Sequence, residues 1–146
     1  MYSHIYNYED LNRQTNKLIN DIEKAINGEY SAIMCYESLA KIAPSEKERK
    51  QILEIQSDEK KHLQQFIQLY YSLTGVQPQP KMTEECAENY IEGLQLALKD
   101  EQETVDFYLG ISDETSNVYT KELLKRIAMD EQNHAVWFLY FYTKLK

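Results

Sequence analysis

The chain repeats itself. A shift of 72 residues places Glu29, Tyr36, Asp58, Glu59, His62, Phe66 and Tyr70 on Glu101, Tyr108, Asp130, Glu131, His134, Phe138 and Tyr142. The same shift carries Ala25, Ile55 and Leu73 onto Ala97, Ile127 and Leu145. Two copies of one motif in 146 residues restrict the chain to two equivalent halves sharing one core, and this length fits a single domain.

Helix punctuation defines each half. The chain contains only four glycines and three prolines, and the three prolines with Gly75 and Gly110 mark its breaks. Pro44 ends one helix in "APSEKE", and Ser45 with Glu48 forms a capping box for the next. In "TGVQPQPKMT", Gly75 suits a helix C-cap, Pro78 and Pro80 favour extended backbone, and Thr83 can cap the following helix. "GISDETSN" at 110–117 is the third break. These signals predict helices at about 9–42, 46–74, 84–111 and 117–145, behind an N-terminal tail over 1–8. No strand-type alternation competes with them. The repeats then span about 9–74 and 84–146. Short first and third connectors make two antiparallel hairpins. The middle connector, extended at ~3.1 Å per residue, reaches ~30 Å and can cross most of the bundle. The predicted fold is all-α: a four-helix bundle of two hairpins joined by a long crossover, which is the ferritin-like arrangement.

The core stripes contain charge. In the last helix the 3-4 spacing selects Leu124, Ile127, Glu131, His134, Phe138, Phe141 and Leu145; in the second it selects Ile52, Ile55, Glu59, His62, Phe66, Leu69 and Leu73. The first helix carries Ile22, Ile26, Glu29, Ile33 and Tyr36 on one face, and the third Leu94, Leu98, Glu101, Val105 and Tyr108. Every helix thus offers a buried glutamate and two offer a histidine. Four carboxylates facing one another in a low-dielectric core would not stay ionised without compensation. The stripes hold no Lys or Arg at that level. Two divalent cations would balance them, with two neutral imidazoles completing the ligand set. Oxygen-rich ligands with two nitrogens and no thiolate favour iron or manganese, and zinc fits as well. The bland alternative is a vestigial site of protonated, mutually hydrogen-bonded carboxylates.

The motif Glu-x28-Asp-Glu-x2-His, at 29–62 and again at 101–134, resembles the signature of the ferritin-like di-iron carboxylate superfamily, and the short form is similar to single-domain rubrerythrin-like proteins. The resemblance covers nearly the whole chain. It implies that Glu29, Glu59, His62, Glu101, Glu131 and His134 hold two iron ions, with Glu59 and Glu131 as bridges. It also implies that Asp58 and Asp130 orient the imidazole N–H groups; solvated helix aspartates are the alternative. Tyr36 and Tyr108, two turns beyond the first- and third-helix glutamates, either hydrogen-bond the site or simply pack in the core.

Three departures limit the transfer. Rubrerythrins proper carry a four-cysteine iron module, whereas this chain has Cys35 and Cys86 only. Electrons are therefore expected from an external donor. A further family glutamate, one turn after the third-helix ligand, is replaced by Thr104, leaving six protein ligands. Cage-forming ferritins add a fifth helix, so a storage shell is not expected. The resemblance implies an oxidoreductase acting on O2, H2O2 or ferrous iron. The alternative is a non-catalytic metal-binding or structural protein, of the kind sometimes labelled sporulation- or coat-associated.

A net charge of −8 argues against nucleic acid or anionic membrane as partner. No apolar run approaches a membrane span, and the N-terminus lacks a signal-peptide layout. With two isolated cysteines, a reducing cytoplasm is the expected location. His4 lies outside every stripe and reads as a tail residue. Gly28, mid-helix beside Glu29, hints at close helix approach or a local bulge. Trp137 and Tyr140 in "AVWFLYFY" point away from the ligand stripe, which predicts a second buried surface, a homodimer contact.

Overall fold

The computed structural model describes residues 8–145, so His4 and the tail lie outside the described residues. Four helices follow in order: α1 (Tyr8–Lys41), α2 (Glu46–Thr74), α3 (Tyr90–Glu114) and α4 (Val118–Thr143). The caps explain most boundaries. Ser45 Oγ accepts the Glu48 N–H at 3.2 Å and donates to the Glu48 carboxylate at 3.1 Å, closing the start of α2. Gly75 ends α2 in the left-handed region at φ 72°, its N–H donating to the Tyr71 carbonyl at 2.7 Å.

The largest boundary correction is at α3. The third helix starts at Tyr90 rather than 84, because Asn89, not Thr83, is its N-cap: Asn89 Oδ1 accepts the Glu92 N–H at 2.9 Å. Asn89 with Glu92 has the spacing of a capping box, which Thr83 lacks, since Cys86 stands three residues on. Thr83 instead docks on α1. Helix α4 ends at Thr143, two residues short of the predicted 145, leaving Leu145 exposed instead of closing the stripe.

Two apolar clusters fix the relative directions of the helices. One joins Ile22 and Ile26 of α1 to Phe66 and Leu69 of α2, Tyr108 and Ile111 of α3, and Leu124 and Ile127 of α4. The other joins Tyr36 and Leu39 to Ile52 and Ile55, Leu94 and Ala97, and Phe138 and Phe141. Along the chain, α1 and α4 run from the first cluster to the second, and α2 and α3 run back. The chain must therefore travel the bundle's length between α2 and α3, as the ferritin-like crossover requires. Neighbours across the hairpins are α1 with α3 and α2 with α4.

The crossover climbs one stripe of α1. Lys81 N–H donates to Asn27 Oδ1 and Thr83 N–H to Ser31 Oγ, both at 2.9 Å. Cys86 is bonded to Cys35. Residues 27, 31 and 35 are four apart, so the strap runs alongside α1 for about 12 Å of helix rise. The expectation of isolated cysteines is overturned, and their isolation no longer argues for a reducing compartment. Among the described residues no helix is long and apolar enough to cross a membrane.

Candidate metal centre

Between the two apolar clusters lies a charged layer. Glu29, Glu59, His62, Glu101, Glu131 and His134, one or two from each helix, are each no more than 2% exposed. Their ligand atoms form two groups, each drawn within 4.8 Å: Glu29, Glu59, His62 and Glu131 in one, Glu59, Glu101, Glu131 and His134 in the other. Glu59 and Glu131 belong to both. His62 Nδ1 stands 2.9 Å from Glu131 Oε1, and His134 Nδ1 stands 3.2 Å from Glu59 Oε1.

Four hydrogen bonds surround the centre, and each joins a residue of one repeat to a residue of the other. Tyr36 Oη donates to Glu101 Oε1, and Tyr108 Oη to Glu29 Oε1, each at 2.6 Å. His62 Nε2 donates to Asp130 at 2.9 Å and His134 Nε2 to Asp58 at 2.8 Å. The aspartates are thus imidazole partners, not merely solvated helix residues, and the tyrosines bond the site besides packing. Tyr36 lies against Phe138 and Phe66 against Tyr108, each with ring centroids 5.1 Å apart.

What remains unpartnered is one atom from each of the six residues: Glu29 Oε2, Glu59 Oε1, His62 Nδ1, Glu101 Oε2, Glu131 Oε1 and His134 Nδ1. The short nitrogen–oxygen distances among them are not aligned as hydrogen bonds. With Nε2–H committed to an aspartate, a neutral imidazole presents the lone pair of Nδ1 to carboxylate lone pairs. Buried polar groups without partners cost about 1–3 kcal/mol each, so six converging on one point need a common partner. Divalent cations would supply it. The residues present fit two such ions in charge, donor type and orientation.

Without cations the layer resists ionisation. Burial, and then the charges of Glu101 and Glu29, push Glu59 well above the usual carboxylate range. Burial and the charges of Glu29 and Glu59 do the same to Glu131. Burial opposes the charged form of His62, but the facing carboxylates of Glu131 and Glu29 outweigh it and raise the imidazole to about 10. His134 is raised as well, its burial outweighed by Glu101 and Asp58.

A cleft between α1 and α3 leads to this layer. It encloses about 310 Å³ and is lined by Gly28, Glu29, Tyr36, Glu101, Thr104 and Glu131, with Glu84 of the crossover at its rim. Thr104 Oγ1 donates to the Asp100 carbonyl at 2.7 Å. A Cβ on Gly28 would meet nothing within 4 Å, so close helix approach does not explain the glycine; it borders open space. Asp100, beside the rim, is held near 7 by burial and by its hydrogen bond to Glu84.

Residues 20–142 match the sequence model of the rubrerythrin family. The chain belongs to that family. It is 54% identical over 141 residues to the uncharacterised protein YhjR of Bacillus subtilis (strain 168), covering 97% of each. Ferritin-like diiron-carboxylate proteins of Bacillus anthracis superpose with a TM-score of 0.78 at 24% identity, over 97% of this chain and 99% of theirs. The bacterioferritin of Desulfovibrio desulfuricans, whose structure describes a diiron site in several catalytic states, superposes at 0.77 with 22% identity over 90% of this chain and 81% of its own. These two structures establish the ferritin-like four-helix fold. Family membership and the buried carboxylate–histidine layer together describe a di-metal protein.

Of the features that bear on the centre, the Cys35–Cys86 bond was not legible in sequence. The two residues are 51 apart, with no motif to join them.

Proposed function

We propose that this rubrerythrin-family protein is a di-iron oxidoreductase that reduces hydrogen peroxide. Glu29, Glu59, His62, Glu101, Glu131 and His134 hold the two ions, with Glu59 and Glu131 shared between them. The observation that carries this reading is the set of six unpartnered buried atoms beside a cleft large enough for a small oxidant. Bound iron supplies reversible redox chemistry at positions the protein leaves open.

The chain's own groups prepare that chemistry. Asp130 and Asp58 fix the ring orientation and tautomer of the histidines, leaving Nδ1 bare. Tyr36 and Tyr108 anchor one oxygen of Glu101 and Glu29, turning the other inward. Glu59 and Glu131 have no such anchor and are the carboxylates free to shift. Glu84 and Asp100 place negative charge at the cleft rim, favouring cation entry. Thr104 stands on the cleft wall without a carboxylate, which keeps the protein ligands at six. The reading includes the cytoplasm as location, an external source of electrons, and a homodimer through the outer face of α4.

The test is anaerobic loading with ferrous iron, then stopped-flow absorbance on adding peroxide or O2. Two irons per chain and rapid oxidation by peroxide are expected. Tight metal binding without oxidation would support a metal that only holds the helices together, and preference for O2 would point to ferrous oxidation instead.

A further inference from the structure

We infer that Cys35 and Cys86 form a built-in two-electron donor for the metal centre, cycling between dithiol and disulfide. This rests on the peroxide-reducing reading above. The cysteines stand with Cα atoms 5.0 Å apart, one on α1 and one on the crossover. Neither is sealed in the core. Both line a cavity of about 330 Å³, so a small thiol can reach them. That cavity shares Ala32, Tyr36, Glu84 and Asp100 with the cleft over the metal layer, so the two spaces meet along these residues.

Covalent connection is equally short. Cys35 is bonded through the backbone to Tyr36, whose hydroxyl reaches Glu101 at 2.6 Å. Along α1, Cys35 lies about 9 Å of helix rise from Glu29. The pair also breaks the internal symmetry: the position equivalent to Cys35 in the second repeat is Phe107, so the donor serves the centre from one side. The crossover keeps two other ties to α1, at Asn27 and Ser31, so opening the bond leaves the strap docked.

The electrons balance. Forming the Sγ–Sγ bond from two thiols releases two electrons and two protons. One peroxide takes up both pairs, its O–O bond breaks and two waters leave; the ions that the six ligands would hold would relay the electrons and end in the oxidation state in which they began. An external dithiol then restores the cysteines by thiol–disulfide exchange, which the access of the pair permits. External electrons therefore enter as thiol.

The experiment follows the cysteines directly. Protein carrying two ferrous ions per chain, with the pair reduced and excess reductant removed, receives two equivalents of peroxide anaerobically, because the two ferrous ions can themselves reduce the first. It is quenched with an alkylating agent and examined by mass spectrometry. The expected result is loss of both alkylation sites by the time the second equivalent is consumed. Metal-free protein and the Glu59→Gln/Glu131→Gln variant should keep both sites over the same time. A Cys86→Ser variant should retain its two metal equivalents but lose repeated turnover driven by a dithiol. Consumption of the second equivalent with both cysteines still alkylated overturns this inference alone, as does equally fast disulfide formation without metal. No peroxide consumption by any loaded form overturns this inference and the proposed function together.

Discussion

The Asp58 carboxylate lies 2.8 Å from Nε2 of His134, a residue of the other repeat. Its counterpart, Asp130 with His62 at 2.9 Å, differs in one respect: Arg126 also reaches Asp130, at 3.2 Å, and the equivalent position in the first repeat is Glu54. Asp130 therefore divides its charge between a guanidinium and an imidazole, whereas Asp58 has no such competitor on its own helix. Replacing either aspartate by asparagine should weaken metal affinity by about 10–100-fold, with Asp58→Asn the more severe. Competition against a calibrated chelator measures this. Equal affinity for wild type and both variants would remove the aspartates from the site.

Removing negative charge should help the empty protein and harm the loaded one. In Glu59→Gln/Glu131→Gln two buried carboxylates become neutral amides of the same shape, which relieves the repulsion with Glu29 and Glu101. Metal content should fall from two equivalents towards zero while the metal-free Tm rises, by about 2–4 °C for each kcal/mol gained. Elemental analysis and calorimetry on the same preparation decide it. A variant that still holds two metals would refute the ligand assignment.

The metal-free protein should lose stability as pH rises. Glu59 and Glu131 are raised in the folded state, so their contribution is complete below the ordinary carboxylate value of 4.5 and declines as pH climbs through their raised values. His62, raised to about 10, acts in the same direction: its contribution is complete below 6.5 and is lost as pH approaches 10. All three therefore predict a Tm that falls between mildly acidic and alkaline pH. With metal bound the slope should reverse at acidic pH, because protons compete with cations for the same atoms. Thermal scans of metal-free and loaded protein across that range test both signs.

The bundle and its six inward residues were readable because helix periodicity and the 72-residue repeat report the same faces twice. The Tyr36–Glu101 and Tyr108–Glu29 bonds were half readable: spacing put the tyrosines in the core, but which oxygen they reach depends on cross-helix rotamers. The start of α3 was misplaced because a threonine after two prolines looks like a cap, while Asn89 with Glu92 is the stronger signal. The Cys35–Cys86 bond was invisible, since it depends on how the crossover climbs α1, a tertiary path without local periodicity.

The outer face of α4 should join two copies of the chain. Val136, Leu139 and Tyr140 are 60%, 47% and 47% exposed, and Trp137 is half-buried against Tyr140 and Phe141. With Leu98 and Val105 of α3, Val136 and Leu139 line a shallow groove that continues this apolar face. Light scattering at micromolar concentration should give a dimer, and Val136→Glu/Leu139→Glu a monomer that still binds two metals. A monomeric wild type would dismiss the interface.

Gly28 gives the sharpest separation of stability from access. It sits inside α1, one residue before Glu29, in the wall of the cleft, where an added methyl meets no atom within 4 Å. Glycine in a helix interior costs about 0.5–1 kcal/mol relative to alanine, so Gly28→Ala should raise stability by that amount, visible in denaturant midpoints. The larger Gly28→Leu should fill part of the cleft. It should keep the fold and all six ligands, yet slow both iron uptake and the reaction with peroxide. If Gly28→Leu loads and reacts at the wild-type rate, the α1–α3 cleft is not the route to the metals. If Gly28→Ala destabilises the protein, the helix needs glycine there for a reason other than open space.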